Sequence, residues 1–106
     1  MMKLELLAVL LLAAALLAPG DARATDSSEG RKLAEQWCAS CHAIAPGGAG
    51  TEQAPPFESI ARERGRSDDW IGTWLSTPHK MMPDLALTRN EIAALLAYFD
   101  TLRPAE

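Results

Sequence analysis

The pentapeptide Cys38-Ala39-Ser40-Cys41-His42 is the part of the sequence whose residue types and spacing most clearly indicate chemistry. The pattern C-x-x-C-H is typical of sites at which haem is attached covalently to a polypeptide. Two thiols at this spacing can each add to one vinyl group of the same porphyrin, and the histidine that follows can bind iron through an imidazole nitrogen. The motif therefore predicts one covalently bound haem c, attached through Cys38 and Cys41 and ligated by His42.

Two other kinds of site could use the same cysteines. A C-x-x-C pair in an exported protein can be a thiol–disulfide redox site, although no strand–helix–strand pattern surrounds the pair here. A zinc site would need two further ligands, whereas the sequence has no third cysteine and only His79 as a second histidine. Haem attachment is therefore the preferred interpretation, with a redox disulfide and a zinc site as alternatives.

The beginning of the chain predicts export. Leu6 to Ala18 is an unbroken apolar run, which is too short to cross a bilayer core of roughly 30 Å comfortably as a helix. A proline–glycine pair ends the run, and Ala22-Arg23-Ala24 has the small-x-small pattern of a signal-peptide cleavage site. We expect residues 1–24 to be a cleaved signal peptide and residues 25–106 to be one mature domain in the periplasm, with an uncleaved membrane anchor as the alternative. No second apolar stretch of the sequence is long enough to cross a bilayer as a helix.

Composition narrows the function classes further. The chain of 106 residues has a formal net charge of −4 and no basic cluster of the kind that binds nucleic acid. The hydrophobic core of a mature domain of this size gives only marginal stability, and such a domain usually needs a covalent cross-link, a metal or a cofactor. A large, flat, apolar haem would meet that need.

The haem motif should follow directly after a first helix. Asp26, Ser27 and Ser28 offer N-cap oxygens before the segment that leads to Trp37. Gly30, Leu33 and Trp37 would lie on one face of this helix. We therefore predict that the Trp37 side chain packs the first helix against the last helix or lines the haem pocket. Tyr98 and Phe99 are expected to have one of the same two roles.

Helical signals also dominate the rest of the chain, and no segment shows sustained strand alternation. The last helix has the clearest pattern, because Thr88 and Glu91 form a capping-box pair and apolar residues then recur at helical spacing. Those residues are Ile92, Leu95, Leu96, Phe99 and Leu102. Two shorter helices are predicted before it: one carries Phe57, Ile60 and Ala61 and ends at Gly65, and one begins at Ser67 and is stopped by Pro78.

With these pieces in order, the chain resembles the class I c-type cytochromes, specifically the small bacterial single-haem kind. The resemblance covers essentially all of residues 25–106. It implies a small all-α fold of about four helices wrapped around one covalently bound haem. The matching segments are Gly30 ahead of the haem motif, Ala54-Pro55-Pro56-Phe57, Pro78-His79 leading to Met82-Pro83, and Leu87-Thr88 through Glu91-Ile92 to Ala97-Tyr98.

The resemblance also implies roles for individual residues. Cys38 and Cys41 match the thioether cysteines, and His42 matches the proximal iron ligand. Pro55 matches the position whose backbone carbonyl accepts the proton on the other imidazole nitrogen. Such a bond fixes the orientation of a ligand ring and tunes the metal.

The second axial ligand is chosen among residues of one loop. The family places its methionine ligand immediately before a proline, which selects Met82 over the adjacent Met81 and over His79. Met81 is then expected to fill space in the core, and His79 to lie in the loop or at the surface. One of Trp70 and Trp74 could donate its indole N–H to a haem propionate.

The function implied by the resemblance is one-electron transport in the periplasm. The protein would dock to a donor and an acceptor protein through small, weak contacts at an exposed haem edge, as a monomer or as a subunit of a redox complex, with no catalytic residues. The alternative is a dedicated cytochrome subunit of a periplasmic dehydrogenase or oxidase. A third hypothesis, an enzyme or sensor with an open iron site, is disfavoured by the two methionines in one loop.

Overall fold

The computed structural model describes residues 22–104, and this part of the chain contains four helices and no strand. The all-α architecture expected from the sequence is therefore confirmed. The predicted signal peptide, residues 1–24, lies almost entirely outside the described residues and stays a prediction. The helices are α1 (Ala22–Trp37), α2 (Phe57–Arg62), α3 (Asp68–Ser76) and α4 (Arg89–Leu102).

Helix α4 is the element on which the other three helices pack. Its start has the predicted capping box: the Glu91 N–H donates to Thr88 Oγ1 at 3.1 Å, and the Thr88 N–H donates to Glu91 Oε1 at 2.8 Å. The predicted apolar face is confirmed in its centre, because Leu95 and Phe99 are buried, while Ile92, Leu96 and Leu102 are half-buried at its edge. Complete burial of a leucine or phenylalanine side chain is worth about 1.5–3 kcal/mol. This face therefore supplies much of the stabilising contact.

The start of helix α1 differs from the prediction. The described chain is already helical from Ala22, so Asp26, Ser27 and Ser28 lie within the helix and do not form its N-cap. No proline or glycine separates Ala22 from this segment, and the alanines favour helix. A sequence with no break between two helix-favouring stretches continues as one helix.

The face that α1 turns towards α4 also differs from the prediction. Gly30, Ala34 and Cys38 are buried along it, whereas Leu33 is half-buried and Trp37 is 50% exposed. Small residues are required there because the two helices touch through their backbones: a Cβ at Gly30 would overlap the carbonyl oxygen of Ala94 and lie 2.6 Å from its carbonyl carbon. Trp37 therefore does not pack the first helix on the last, which was one of its two predicted roles. The other role, lining the haem, stays a prediction.

Helices α2 and α3 begin and end close to the predicted signals. Ser67 is the N-cap of α3 and accepts the Trp70 N–H at 3.2 Å. Helix α3 ends at Ser76, two residues before Pro78, and Gly65 takes a φ of +83° in the turn between α2 and α3. Glycine adopts this conformation without steric cost.

One apolar cluster joins the helices to the loops of the site. Its buried members include Cys38, Phe57, Ile71, Leu95 and Phe99, and half-buried leucines from the loop before α4 pack against it. Both the haem-motif segment and that loop are therefore anchored in the same core. Within residues 22–104, none of the helices has the length and apolarity that a membrane crossing requires.

Candidate haem site

The motif cysteines lie in a tight turn directly after α1. The Cys38 N–H donates to the Ala34 carbonyl at 2.9 Å, and the N–H groups of Cys41 and His42 donate to the Cys38 carbonyl at 3.2 and 2.9 Å. These bonds hold the backbone of Cys38, Cys41 and His42 in a single turn. The thiols are free, Cys38 buried in the core and Cys41 exposed.

The two cysteines therefore differ in their surroundings. Burial raises the pKa of the Cys38 thiol from 9.0 to about 11. This thiol consequently stays protonated near neutral pH. The apolar environment that causes this shift is the side of the turn that faces α4.

The imidazole of His42 is held by the backbone bond that the resemblance implied. Nδ1 lies 2.6 Å from the Pro55 carbonyl oxygen. Because a carbonyl oxygen only accepts, Nδ1 carries the proton, and Nε2 is left with the lone pair that a metal ligand needs. The ring is also supported by Phe57, whose centroid lies 5.3 Å away, and Phe57 stacks in turn on Phe99 at 4.5 Å.

The loop between the motif and α2 passes very close to His42. A Cβ on Gly50 would lie 2.5 Å from the Ala43 nitrogen and 3.0 Å from the His42 carbonyl carbon. The next residue, Thr51, donates both its N–H and its hydroxyl to the Cys41 carbonyl, each at 3.0 Å. Gly50 is therefore a site residue that the sequence analysis did not single out, although its place in a loop with three glycines was visible.

A hydrogen bond from α4 holds the segment that follows His42. The Tyr98 hydroxyl donates to the Ile44 carbonyl at 2.7 Å. Burial raises the pKa of Tyr98 above its ordinary value, so the hydroxyl keeps the proton that it donates. Tyr98 and Phe99 both pack in the core, as predicted.

The second part of the site is the loop from Thr77 to Leu87. Met82 is half-buried and lines a cleft together with Trp74 and Leu75 of α3 and with leucines of the loop. Met81 is 93% exposed, so the expectation that it fills space in the core was wrong. The motif segment and this cleft are connected through the common apolar cluster.

His79 lies in the loop, as predicted, but it makes two contacts with one residue of α3. Its ring stacks on that of Trp74, with centroids 3.6 Å apart and an interplanar angle of 19°, and its Nε2 lies 2.8 Å from the Trp74 carbonyl oxygen. Trp74 stacks on Trp70 at 5.3 Å, and the Arg66 guanidinium lies 5.1 Å from the Trp70 ring centroid. The spacing of the tryptophans was visible in the sequence, whereas the stack on His79 was not.

These residues fit a covalently bound haem. Two free thiols stand at the attachment spacing, and the adjacent imidazole has one nitrogen anchored and the other available. A thioether is offered by the loop that packs on the same core. Trp70 and Trp74 are 40% and 41% exposed, and Trp74 lines the same cleft as Met82. Contact of either indole N–H with a propionate stays a prediction.

An all-α domain with this donor set defines a c-type cytochrome, and comparison with known proteins agrees. The family model described as cytochrome c oxidase, cbb3-type, subunit III matches residues 25–99. Cytochrome c-552 of Bradyrhizobium diazoefficiens is 38% identical over 104 residues, which are 97% of this chain and 100% of that protein. No solved structure matches significantly.

The chain therefore belongs to the c-type cytochrome family, as a small class I member. It is an electron-transfer protein and not an enzyme, and it carries haem c covalently, with Cys38 and Cys41 in the attachment motif. As a cytochrome c it exchanges electrons with redox partners.

Proposed function

We propose that the protein is a periplasmic one-electron carrier whose haem iron is held between His42 and Met82. The bound haem c supplies the reversible gain and loss of one electron at iron. The residues of the chain attach the group, orient its ligands and surround it with an apolar core. No residue has to move a proton or bind a substrate.

The observation that carries the proposal is the 2.6 Å bond from His42 Nδ1 to the Pro55 carbonyl. It fixes the tautomer and the ring orientation, and it makes Nε2 a stronger donor to a metal. Phe57 supports the ring from the core side. A histidine with an ordinary surface role has no need of both restraints.

The surroundings of the loop residues support Met82 as the second ligand. Met82 is half-buried in the cleft against α3, whereas Met81 is 93% exposed and points its thioether into solvent. The Nε2 of His79 is engaged with the Trp74 carbonyl, so this nitrogen would have to give up a bond before it could bind iron. A methionine ligand raises the reduction potential relative to a second histidine.

A free carrier and a dedicated subunit differ in how they engage partners. The matching cytochrome c-552 is a protein of one such domain, because the similarity covers its whole length. This favours a free carrier. The matching family model describes a subunit of a cbb3-type oxidase, which keeps the subunit as the second candidate.

Methionine ligation is tested by comparing two adjacent substitutions. We expect Met82→Ala to abolish the far-red methionine–iron charge-transfer band of the oxidised protein and to lower its reduction potential, because the thioether is lost. Met81→Ala is the matched control and should keep both. An unchanged band in Met82→Ala would move the ligand elsewhere, and a high-spin resting spectrum of the wild type would indicate an open iron site.

Location and partnership need separate measurements. N-terminal sequencing of protein from a periplasmic extract should begin at Thr25, and the pigment should survive acid–acetone extraction, because thioether bonds hold the haem. Gel filtration should give a free monomer. Co-purification in a stable complex of constant stoichiometry would instead indicate a dedicated subunit of a redox complex.

A further inference from the structure

We infer that His79 is a positioning residue that latches the Met82 loop to helix α3 through Trp74. The inference rests on the proposed ligation of iron by Met82. His79 acts on the ligand through the backbone of the loop and has no direct role at the metal.

The two contacts of His79 hold the start of the loop in one orientation. The ring lies flat on the Trp74 ring, with centroids 3.6 Å apart, and Nε2 donates to the Trp74 carbonyl oxygen at 2.8 Å. That carbonyl belongs to the last turn of α3 and also accepts the Thr77 N–H at 3.3 Å. A carbonyl oxygen has two lone pairs, so it accepts the His79 ring N–H as well. A donor at this end of a helix also interacts favourably with the helix dipole. His79 therefore caps α3 and fastens the loop in the same interaction.

The surface to which His79 is fastened is itself braced. Trp74 stacks on Trp70 at 5.3 Å and 12°, and the Arg66 guanidinium lies over the Trp70 ring. Helix α3 is anchored in the core through Ile71, which is 2% exposed. The stack thus transmits the rigidity of the helix to the first residues of the loop.

Met82 lies in a short span held at both ends. After Met82 and Pro83 the chain forms a second turn, in which Asp84 Oδ1 accepts the Ala86 N–H at 2.9 Å and Ala86 takes a φ of +50°. Only Lys80 and Met81 lie between His79 and Met82. A neutral thioether binds weakly, so the free energy needed to open this span decides how easily the ligand is displaced.

The inference is tested by exogenous imidazole, which binds the oxidised holoprotein only when Met82 leaves the iron. We expect His79→Ala to keep the far-red methionine band but to bind imidazole about tenfold more tightly, equivalent to about 1.4 kcal/mol, because a net hydrogen bond and a ring contact are lost. His79→Phe keeps the ring and loses the donor, so an intermediate gain of about threefold is expected. The exposed neighbour gives the control, and Lys80→Ala should bind imidazole like the wild type.

Two results would overturn the latch: imidazole affinity in His79→Ala equal to the wild type, or an equal gain in Lys80→Ala. If the His79→Ala protein does not accumulate, His79→Phe gives the same test: an imidazole affinity equal to that of the wild type would overturn the latch. The Met82→Ala spectrum separates this inference from the proposed function. A methionine band that persists in Met82→Ala overturns both, whereas a band that depends on Met82 with no effect at His79 overturns the latch alone.

Discussion

Replacing Gly30 by alanine tests the crossing of α1 and α4, on which the whole site depends. The added methyl would overlap the Ala94 carbonyl oxygen, and it would lie 2.6 Å from the carbonyl carbon and 2.9 Å from Tyr98 Cβ. Two of these atoms belong to the backbone of α4 and cannot rotate away. The helices must therefore separate, which loosens the contact that buries Cys38.

The size of the effect follows from two opposing terms. Overpacking a tight contact costs about 3 kcal/mol at the upper end of its usual range, and alanine regains about 1 kcal/mol of helix propensity over glycine. The net loss is about 2 kcal/mol. Gly72 in α3 provides the matched control, because a Cβ there would meet only Leu96 Cδ1 at 3.5 Å and Ile92 Cγ2 at 3.9 Å. Gly72→Ala should therefore stabilise the protein by about 1 kcal/mol.

Urea unfolding of both holoprotein variants, followed by far-UV circular dichroism, measures these changes. With a slope of about 1 kcal/mol per molar urea for a domain of this size, the midpoint of Gly30→Ala should fall by about 2 M. That of Gly72→Ala should rise. A Gly30→Ala protein as stable as the wild type would refute the reasoning, as would equal losses in both variants.

Three further predictions concern the surroundings of the site. Burial raises the Cys38 pKa from 9.0 to about 11, so Cys38 in the haem-free chain should react with iodoacetamide about 100-fold more slowly than an unperturbed thiol near neutral pH. In the haem-free chain, the stability that the neutral Cys38 thiol contributes is present below pH 9.0 and is lost as the pH rises towards about 11. Tyr98→Phe removes the bond to the Ile44 carbonyl and should lower the free energy of unfolding by about 1 kcal/mol in the urea titration. Ala86→Gly should raise that free energy by about 0.5–1 kcal/mol, since glycine adopts a positive φ without strain.

Each of these has a distinct contrary result. Equal alkylation rates of Cys38 and Cys41 would mean that the haem-free chain does not bury the first thiol. A Tyr98→Phe midpoint equal to that of the wild type would show that the hydroxyl bond adds no net stability. Loss of stability in Ala86→Gly would mean that the turn after Met82 is not strained by its φ of +50°.

Local signals in the sequence predicted the helices well. The Thr88–Glu91 capping box and the Ser67 N-cap both begin helices where predicted, because capping depends on residues within one turn of each other. The Pro55 bond to His42 was implied by the family resemblance, and the structure contains it. The two capping signals need no knowledge of distant parts of the chain, whereas the bond between His42 and Pro55 joins residues thirteen positions apart and was available only through the resemblance.

Features that depend on distant segments were not predictable in the same way. Leu33 and Trp37 were expected on the buried face together with Gly30, yet the close approach of α4 at Gly30 buries the small residue Ala34 in their place. The stack of His79 on Trp74 depends on how the loop folds back after α3. Neighbouring positions on a helix can each face the same partner helix, and the hydrophobic pattern alone does not say which of them is buried against it.

The role of α4 as the common partner has a consequence for synthesis of the chain. Helices α1, α2 and α3 all pack on α4, so a nascent polypeptide that ends before residue 89 has no surface on which they can assemble. Cys38 shares its burial with Leu95 and Phe99 of α4. The Cys38 side chain is therefore covered only once residues 89–102 have folded onto α1.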